Sequence, residues 1–334
     1  MDPDEALEEI AFLLERSRAS TYRVEAFRTA LDALRDVGPD VVRRLSEAGA
    51  LRDVPGIGAR TVEVVEQSLE GRVPDYLARL RAEGEGPLET GGEELRTLLR
   101  GDLHSHTDWS DGGSPIATMA AAAGRLGHEY LAVTDHSPRL TVANGLSADR
   151  LVEQLDALDD VEVDGLTLLS GIEVDVLDDG SLDQDDRLLG RLDVVVASVH
   201  SRLRADEVTM TRRMLGAVRH PATNVLGHCT GRLVEGRRGT RPPSVFDAEK
   251  VFAACADEGV AVEINARPER RDPPDELLAL ALELGCLFAI DSDAHAPGQL
   301  DFLDHGCVAA ARVGVPAERV VTTWPLERLL EWAG

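Results

Sequence analysis

Lysine is nearly absent: Lys250 is the only one in 334 residues, so almost every cation is an arginine. Long apolar runs are absent as well. No stretch approaches the roughly eighteen apolar residues that a membrane-spanning helix needs, so no membrane span is expected. The N-terminus, MDPDEALEEI, has neither a basic n-region nor an apolar core, so it carries no secretion signal and the chain reads as cytoplasmic. Cysteines are few. Cys229, Cys255, Cys286 and Cys307 show no CxxC spacing, which excludes a zinc knuckle or redox pair and leaves reduced, buried thiols. Positive charge is scarce: 35 basic residues face 61 acids, for a net charge of −26. That balance excludes broad, non-specific attraction to nucleic acid. Any phosphate contact must come from arginine forks, backbone amides or metal ions.

What is present suffices for a buried core, with 43% apolar residues and enough length for two domains. Residues 1–82 read as all-helical. Ala6, Ile10, Leu13 and Leu14 recur at helical spacing, and Val24, Phe27, Ala30, Leu31 and Leu34 repeat the pattern until Gly38-Pro39 breaks it. A Val54-Pro55-Gly56-Ile57-Gly58 turn precedes another periodic stretch that Gly71 caps. Its glycines allow backbone amides to face a phosphate at a helix N-terminus, which makes Gly56, Gly58 and Arg60 candidate DNA contacts. Residues 83–98, opening on EGEGPLETGG, read as a linker.

From residue 99 to 334 short apolar runs alternate with helical stretches, the mark of βαβ units and parallel strands. The number of units suggests a closed barrel, although an open sheet also fits the pattern. The polar residues at the run ends carry the chemistry. Asp102-Leu103-His104-Ser105-His106 places two histidines two apart, on one face if extended. Asp111 follows in a turn able to fold back over them. Other runs lead into His136, Glu173, His200 and His228, and the last offers Asp293 and His295. Strand ends converge at the mouth of a barrel, so these nine residues form a candidate metal site. They are too many for one ion and suit two or three, with a carboxylate such as Glu173 bridging. Imidazole with carboxylate suits zinc, manganese or iron. His128, His220 and His305 lie in helical or loop contexts and read as structural.

These motifs resemble the polymerase-and-histidinol-phosphatase (PHP) family of phosphoesterases. The likeness rests on Asp102–Thr107 with Ser110-Asp111-Gly112, Thr134–Ser137, Gly171-Ile172-Glu173, Ser198–Ser201, Gly227-His228, Glu263-Ile264-Asn265 and Asp291–His295. It implies a distorted (β/α)7 barrel behind a small all-α helix-hairpin-helix domain. It also implies one ion on His104, His106, Glu173 and Asp293, a second on Glu173, His200 and His228, and a third on Asp111, His136 and His295. The loops Thr230-Gly231-Arg232 and Asn265–Arg270 look most like the PHP domain of bacterial family X DNA polymerases, with Cys229 in place of that group's proline. The N-terminal residues Tyr22–Arg28 and Val54–Gly58 look like the helix-hairpin-helix domain of the same polymerases. Residues 83–100 leave no room for a polymerase palm, and residues 1–90 contain no lysine for Schiff-base lyase chemistry.

The expected reaction is metal-assisted hydrolysis of a phosphate ester. Glu173, His104, His106 and Asp293 stand as catalytic residues, and Arg202, Arg232, Arg267 and Arg270 as phosphate clamps, since each follows a ligand-bearing strand end. DNA ends are the first substrate class, through a 3′-5′ exonuclease or 3′-phosphatase activity in repair. A small phosphomonoester of the histidinol-phosphate kind is the second. A DNA-binding module with an inactive metal site is the third reading. Oligomeric state is not legible.

Overall fold

The computed structural model describes residues 1–236 and 239–334. Its contacts divide the chain into two units, Met1–Gly86 and Pro87–Gly334.

The first unit is helical: α1 (Pro3–Arg16), α2 (Thr21–Val37), α3 (Pro39–Glu47), α4 (Ala59–Leu69) and α5 (Asp75–Glu83). In α1 the apolar residues Ala6, Leu7, Ile10, Ala11 and Leu14 fall on one face and are buried. Asp2 caps this helix by accepting the N–H of Asp4 at 2.9 Å. Gly38 takes φ +80° between α2 and α3, a conformation only glycine enters cheaply, and Pro39 opens the next helix. Helices this short are marginal alone and are held by their shared core of Phe27, Leu31, Leu34, Val64, Val65 and Leu77.

The second unit opens on α6 (Glu93–Leu98), inside the stretch read as a linker. Leu95 and Leu99 are buried there, and Gly92 passes so close to Cys307 that a Cβ would lie 2.6 Å from its carbonyl carbon. Seven strands follow: β1 (Gly101–Asp102), β2 (Tyr130–Val133), β3 (Thr167–Asp175), β4 (Val194–Ser198), β5 (Val225–Leu226), β6 (Ala261–Asn265) and β7 (Leu287–Asp291). They pair in sequence order and in parallel throughout. Helices fill the crossovers: α7 (Ile116–Arg125), α8 (Ala148–Asp159), α9 (Asp186–Leu189), α10 (Glu207–Val218), α11 (Ala248–Glu258) and α12 (Asp275–Glu283). After β7 come α13 (Leu303–Val313) and α14 (Leu326–Ala333).

This is a (β/α)7 barrel with an irregular seam. Between β1 and β7 there is no ladder, only a bridge at Ser105 and Ala294 with the His106 N–H donating to the Ala294 carbonyl at 2.8 Å. Side chains close the rest. Asp291 accepts the Leu103 N–H at 2.9 Å, and Asp102 accepts the Ser292 N–H at 3.2 Å. Each seam strand thus offers a carboxylate to the backbone of the other, which answers the unpaired edge of a two-residue β1. The barrel interior is filled by Leu103, Tyr130, Ala132, Leu169, Val194 and Val196, and its N-terminal end is stopped by Val321, Trp324 and Leu329. Only the C-terminal mouth is left for chemistry.

His128 is buried at the start of the loop into β2, with neither ring nitrogen hydrogen-bonded. Burial, helped by Arg96, pushes its pKa down to about 3. A group depressed on folding costs stability once the unfolded imidazole gains its proton, so stability is full above about pH 6.5 and falls toward pH 3. His128→Leu removes that loss. In urea titrations from pH 7.5 to 5.5 the wild-type chain should lose about 1.4 kcal/mol more than the variant.

Candidate metal centre

The nine residues expected as ligands meet at the C-terminal mouth. Glu173, near the end of β3, is fully buried at their centre. His228 Nε2 lies 2.8 Å from its Oε1 and His200 Nε2 3.2 Å from the same oxygen. His136 Nδ1, His104 Nε2 and His106 Nε2 lie 2.8, 3.5 and 3.6 Å from Oε2. Asp293 reaches His106 Nε2 at 3.5 Å. Asp111 lies 3.4 Å from both His136 Nε2 and His295 Nε2. Donor atoms within 4.8 Å of one another fall into three overlapping groups: His104, His106, Asp293; His136, Glu173, His200; and His106, Asp111, His136, His295. His106 and His136 are each shared between groups, where the family pattern gave each a single ion.

His104 and His106 stand just beyond β1 rather than within it, and extended backbone around Ser105 keeps them on one side. Asp111 arrives by a tight turn. The Gly112 N–H returns to the Thr107 carbonyl at 2.9 Å, the Gly113 N–H donates to the His295 carbonyl at 2.7 Å, and a Cβ on Gly112 would lie 2.7 Å from the His106 carbonyl carbon. Asp293 holds φ +51°, a strained state for a non-glycine residue that points its carboxylate inward.

The cluster has the character of a site built for cations. Buried polar atoms ordinarily find partners, yet His104 Nε2, both nitrogens of His106, His200 Nε2, His228 Nδ1 and Glu173 Oε2 have none. Three of them, His104 Nε2, His106 Nε2 and His200 Nε2, face the Glu173 carboxylate. Electrostatics in the bare cluster are correspondingly divided. Burial raises Glu173, but His200, His136 and His104 outweigh it and hold the carboxylate well below its usual range. Burial lowers His136, but Glu173 and Asp111 lift it to about 10. Burial, with His295 and His136, holds His106 well below the usual imidazole range. Divalent cations compete for these same lone pairs. The donor set therefore fits such ions.

A second ring of carboxylates, given no role in the sequence reading although Glu263 and Asp135 stand in its motifs, orients the first. Glu263 accepts from His104 Nδ1 at 2.5 Å and from the His228 backbone N–H. Asp175 accepts from His200 Nδ1 at 2.5 Å. In both histidines the tautomer is thereby set so that Nε2 turns its lone pair to Glu173. Asp135 gathers Thr107, Ser110 and Gln154 and shapes the turn that carries Asp111. The available signal was a carboxylate inside or just after a buried strand: Glu263 lies in the run Val262-Glu263-Ile264, and Asp175 falls two residues after Glu173.

The arginines divide. Arg270 Nε donates to Asp293 at 2.9 Å, and Arg267 Nη1 lies 3.3 Å from the same carboxylate, so both stand at the cluster. Arg232 is occupied elsewhere, donating through Nε to the Arg270 carbonyl at 3.1 Å, and acts as a prop for that loop. Arg202 is 67% exposed and pairs with Asp178 at 3.1 Å, away from the nine. His128, His220 and His305 stay outside the cluster, as their contexts suggested. In the first unit Gly56 takes φ +92° against Thr29. Gly58 gives its N–H to Thr61 Oγ1 at 2.9 Å, which corrects the expectation that this amide faces a phosphate. Arg60 pairs with Glu63 at 2.7 Å.

Residues 102–267 match the PHP domain and residues 3–73 a helix-hairpin-helix domain. The second unit is a PHP domain. Over 218 residues the chain is 39% identical to the DNA polymerase/3′-5′ exonuclease PolX of Bacillus subtilis (strain 168), covering 65% of this chain and 37% of that protein. It is 27% identical over 244 residues to a "probable phosphatase" of Caldanaerobacter subterraneus subsp. tengcongensis, covering 70% of this chain and 90% of the relative. A histidinol phosphate phosphatase from Lactococcus lactis subsp. lactis, solved with zinc, L-histidinol and phosphate, aligns with TM-score 0.47 and 17% identity over 64% of this chain and 94% of that one. With this PHP domain the chain is a metal-dependent hydrolase of phosphate esters.

Replacing Glu263 by Gln leaves one acceptor oxygen where His104 Nδ1 and the His228 N–H each use their own. The loss should weaken divalent-metal affinity about 10- to 100-fold, read by competition with a chromophoric chelator, while the fold by circular dichroism is kept.

Proposed function

We propose that this PHP domain hydrolyses phosphate esters at DNA ends, as a 3′-5′ exonuclease or 3′-phosphatase serving repair. The observation that carries the reading is the buried ring of orphaned imidazole nitrogens around Glu173, in a chain that also has a helix-hairpin-helix unit. The 39% identity to a protein named as a 3′-5′ exonuclease supports it. Residues 1–82 are assigned to substrate guidance, 83–92 to connection and 93–334, from α6 onward, to catalysis. In the guiding unit the turn at Gly56 and the side chain of Arg60 are the surface offered to DNA.

His104, His106, Glu173 and Asp293 would hold one divalent ion, Glu173, His200 and His228 a second, and Asp111, His136 and His295 a third. Zinc, manganese and iron all suit these donors. Such ions supply Lewis acidity toward phosphate oxygens and bring a water toward ionisation near neutral pH. The chain's own part is positional. Glu263 and Asp175 fix two imidazole tautomers, and the Asp135 network holds the Asp111 turn. Arg267 and Arg270 place guanidiniums at the edge of the cluster, where a phosphate brings its charge.

A second reading, hydrolysis of a small phosphomonoester, is supported by the relative named as a phosphatase, which this chain covers over 90% of its length. One experiment separates the two. The metal-loaded protein is given a 3′-phosphorylated oligonucleotide and p-nitrophenyl phosphate side by side. A higher kcat/KM on the oligonucleotide supports action at DNA ends, and a preference for the small ester supports the second reading. His106→Ala should lower both rates about 100- to 1000-fold and reduce bound metal. Full activity of that variant on both substrates would overturn the hydrolytic assignment of this site. Dialysis against EDTA should abolish both activities, and Mn²⁺ or Zn²⁺ should restore them.

A further inference from the structure

The rim of the barrel is electrically split. The strands pair in sequence order, so the loops after β4, β5 and β6 are neighbours and form one side of the mouth. Those after β1, β2 and β3 form the other. Segments 199–206, 227–246 and 266–274 carry seven arginines against four acids among the described residues. Segments 103–115, 134–147 and 176–185 carry one arginine against seven acids. In a chain of net charge −26, a locally basic half-rim stands out from its background.

Each half is also one physical piece. On the basic side Ser244 Oγ donates to the Leu203 carbonyl at 2.8 Å and the Val234 N–H donates to the Glu269 carbonyl at 2.8 Å, joining all three loops. On the acidic side the Arg139 N–H donates to Asp183 at 2.6 Å and Asn144 Nδ2 to the Trp109 carbonyl at 3.3 Å. The Arg202–Asp178 ion pair marks one boundary between them. Arg204 and Arg271 lie on the basic half, are exposed, and make no side-chain ion pair or hydrogen bond among the described residues. Arg271 also holds φ +46°, a strained state for a non-glycine residue. Unneutralised guanidiniums beside a catalytic mouth attract anions, while the facing acids repel them.

We infer that the strand leading away from the scissile phosphate lies over the β4–β6 loops, with Arg204 and Arg271 meeting its flanking phosphates. The site is thereby selective for single-stranded polyphosphodiester ends over lone phosphate esters. This rests on the proposed action at DNA ends. A polyanion crossing the β1–β3 side would meet six acids besides the buried Asp135, so the charge pattern also sets the path of the strand.

The test uses the full chain loaded with Mn²⁺. Substrates are a 3′-phosphorylated ten-nucleotide strand, a 3′-phosphorylated dinucleotide and p-nitrophenyl phosphate. The Arg204→Glu/Arg271→Glu double variant should lower the ratio of ten-nucleotide to p-nitrophenyl phosphate kcat/KM about tenfold or more, chiefly through KM. The salt dependence of kcat/KM on the ten-nucleotide strand should become shallower by about 1.4 in log–log slope, roughly 0.7 for each single-strand phosphate contact removed. Arg139→Glu, on the acidic half, should leave that ratio where it was. Equal loss on all substrates, or a ratio unmoved by the double variant, would overturn the inference while wild-type oligonucleotide activity still upheld action at DNA ends. A wild-type protein that hydrolyses p-nitrophenyl phosphate but neither oligonucleotide would instead sink the DNA-end reading itself. Both arginines are exposed, so the double variant should fold, and its thermal transition checks that.

Discussion

Five imidazoles crowd one fully buried carboxylate, and the architecture of the mouth follows from that arrangement. Glu173 has histidine nitrogens at 2.8 to 3.6 Å on both oxygens, contributed by loops or strand ends from four other parts of the barrel. A carboxylate removed from water is costly unless charge of the opposite sign is held against it. The facing imidazoles answer it: Glu173 raises His104, His136 and His200, and they in turn hold Glu173 low. Divalent cations can supply the opposite charge without spending the imidazole lone pairs on protons. Ions held only in the folded state would add to stability by mass action, which would couple metal loading to folding.

Around this centre the barrel uses carboxylates as structural parts. Asp102 and Asp291 stand in for a backbone ladder at the β1–β7 seam, where pairing is limited to the Ser105–Ala294 bridge. Burial, with the carboxylates Asp102 and Glu263 beside it, raises Asp291 well above the usual range. Glu263 and Asp175 stand behind histidines and set their tautomers. Asp135 fastens the turn that brings in Asp111. An acidic chain is thus acidic inside as well as outside, and the inner acids are each engaged by an N–H, an O–H or an imidazole.

The scarcity of lysine gains meaning in this setting. With one lysine in the chain, the cationic work at the mouth falls to arginines, whose planar forks suit both carboxylate and phosphate. Arg270 and Arg267 are held against Asp293. Arg232 is spent on propping the loop that carries them. Arg213 is fully buried and donates to the carbonyls of Val176, Leu177 and Ser201, fastening the loops that follow β3 and β4. The same side chain therefore serves as clamp, prop and fastener, according to the acceptors that surround it.

Much of this was legible along the chain because it is written in local pattern. Apolar runs ending in His, Asp or Glu announce a parallel barrel with donors at one mouth, and the pairs His104/His106 and Asp293/His295 need only an extended backbone to act together. The PGIG turn and the break at Gly38-Pro39 are likewise local, since backbone sterics decide them. What local pattern leaves open is which distant groups share a hydrogen bond. Glu263 reads as an odd acid in an apolar strand until the fold sets it 2.5 Å from His104, 159 residues away in sequence. Arg202 and Arg232 follow ligand-bearing strands just as Arg267 and Arg270 do, yet only the latter two reach Asp293, because loop geometry and competing acceptors decide where a long flexible side chain ends. The sequence by itself determined the kinds of donors and the mouth they share; tertiary structure alone decided their pairing, since pairing depends on distances between segments that only the closed barrel brings together.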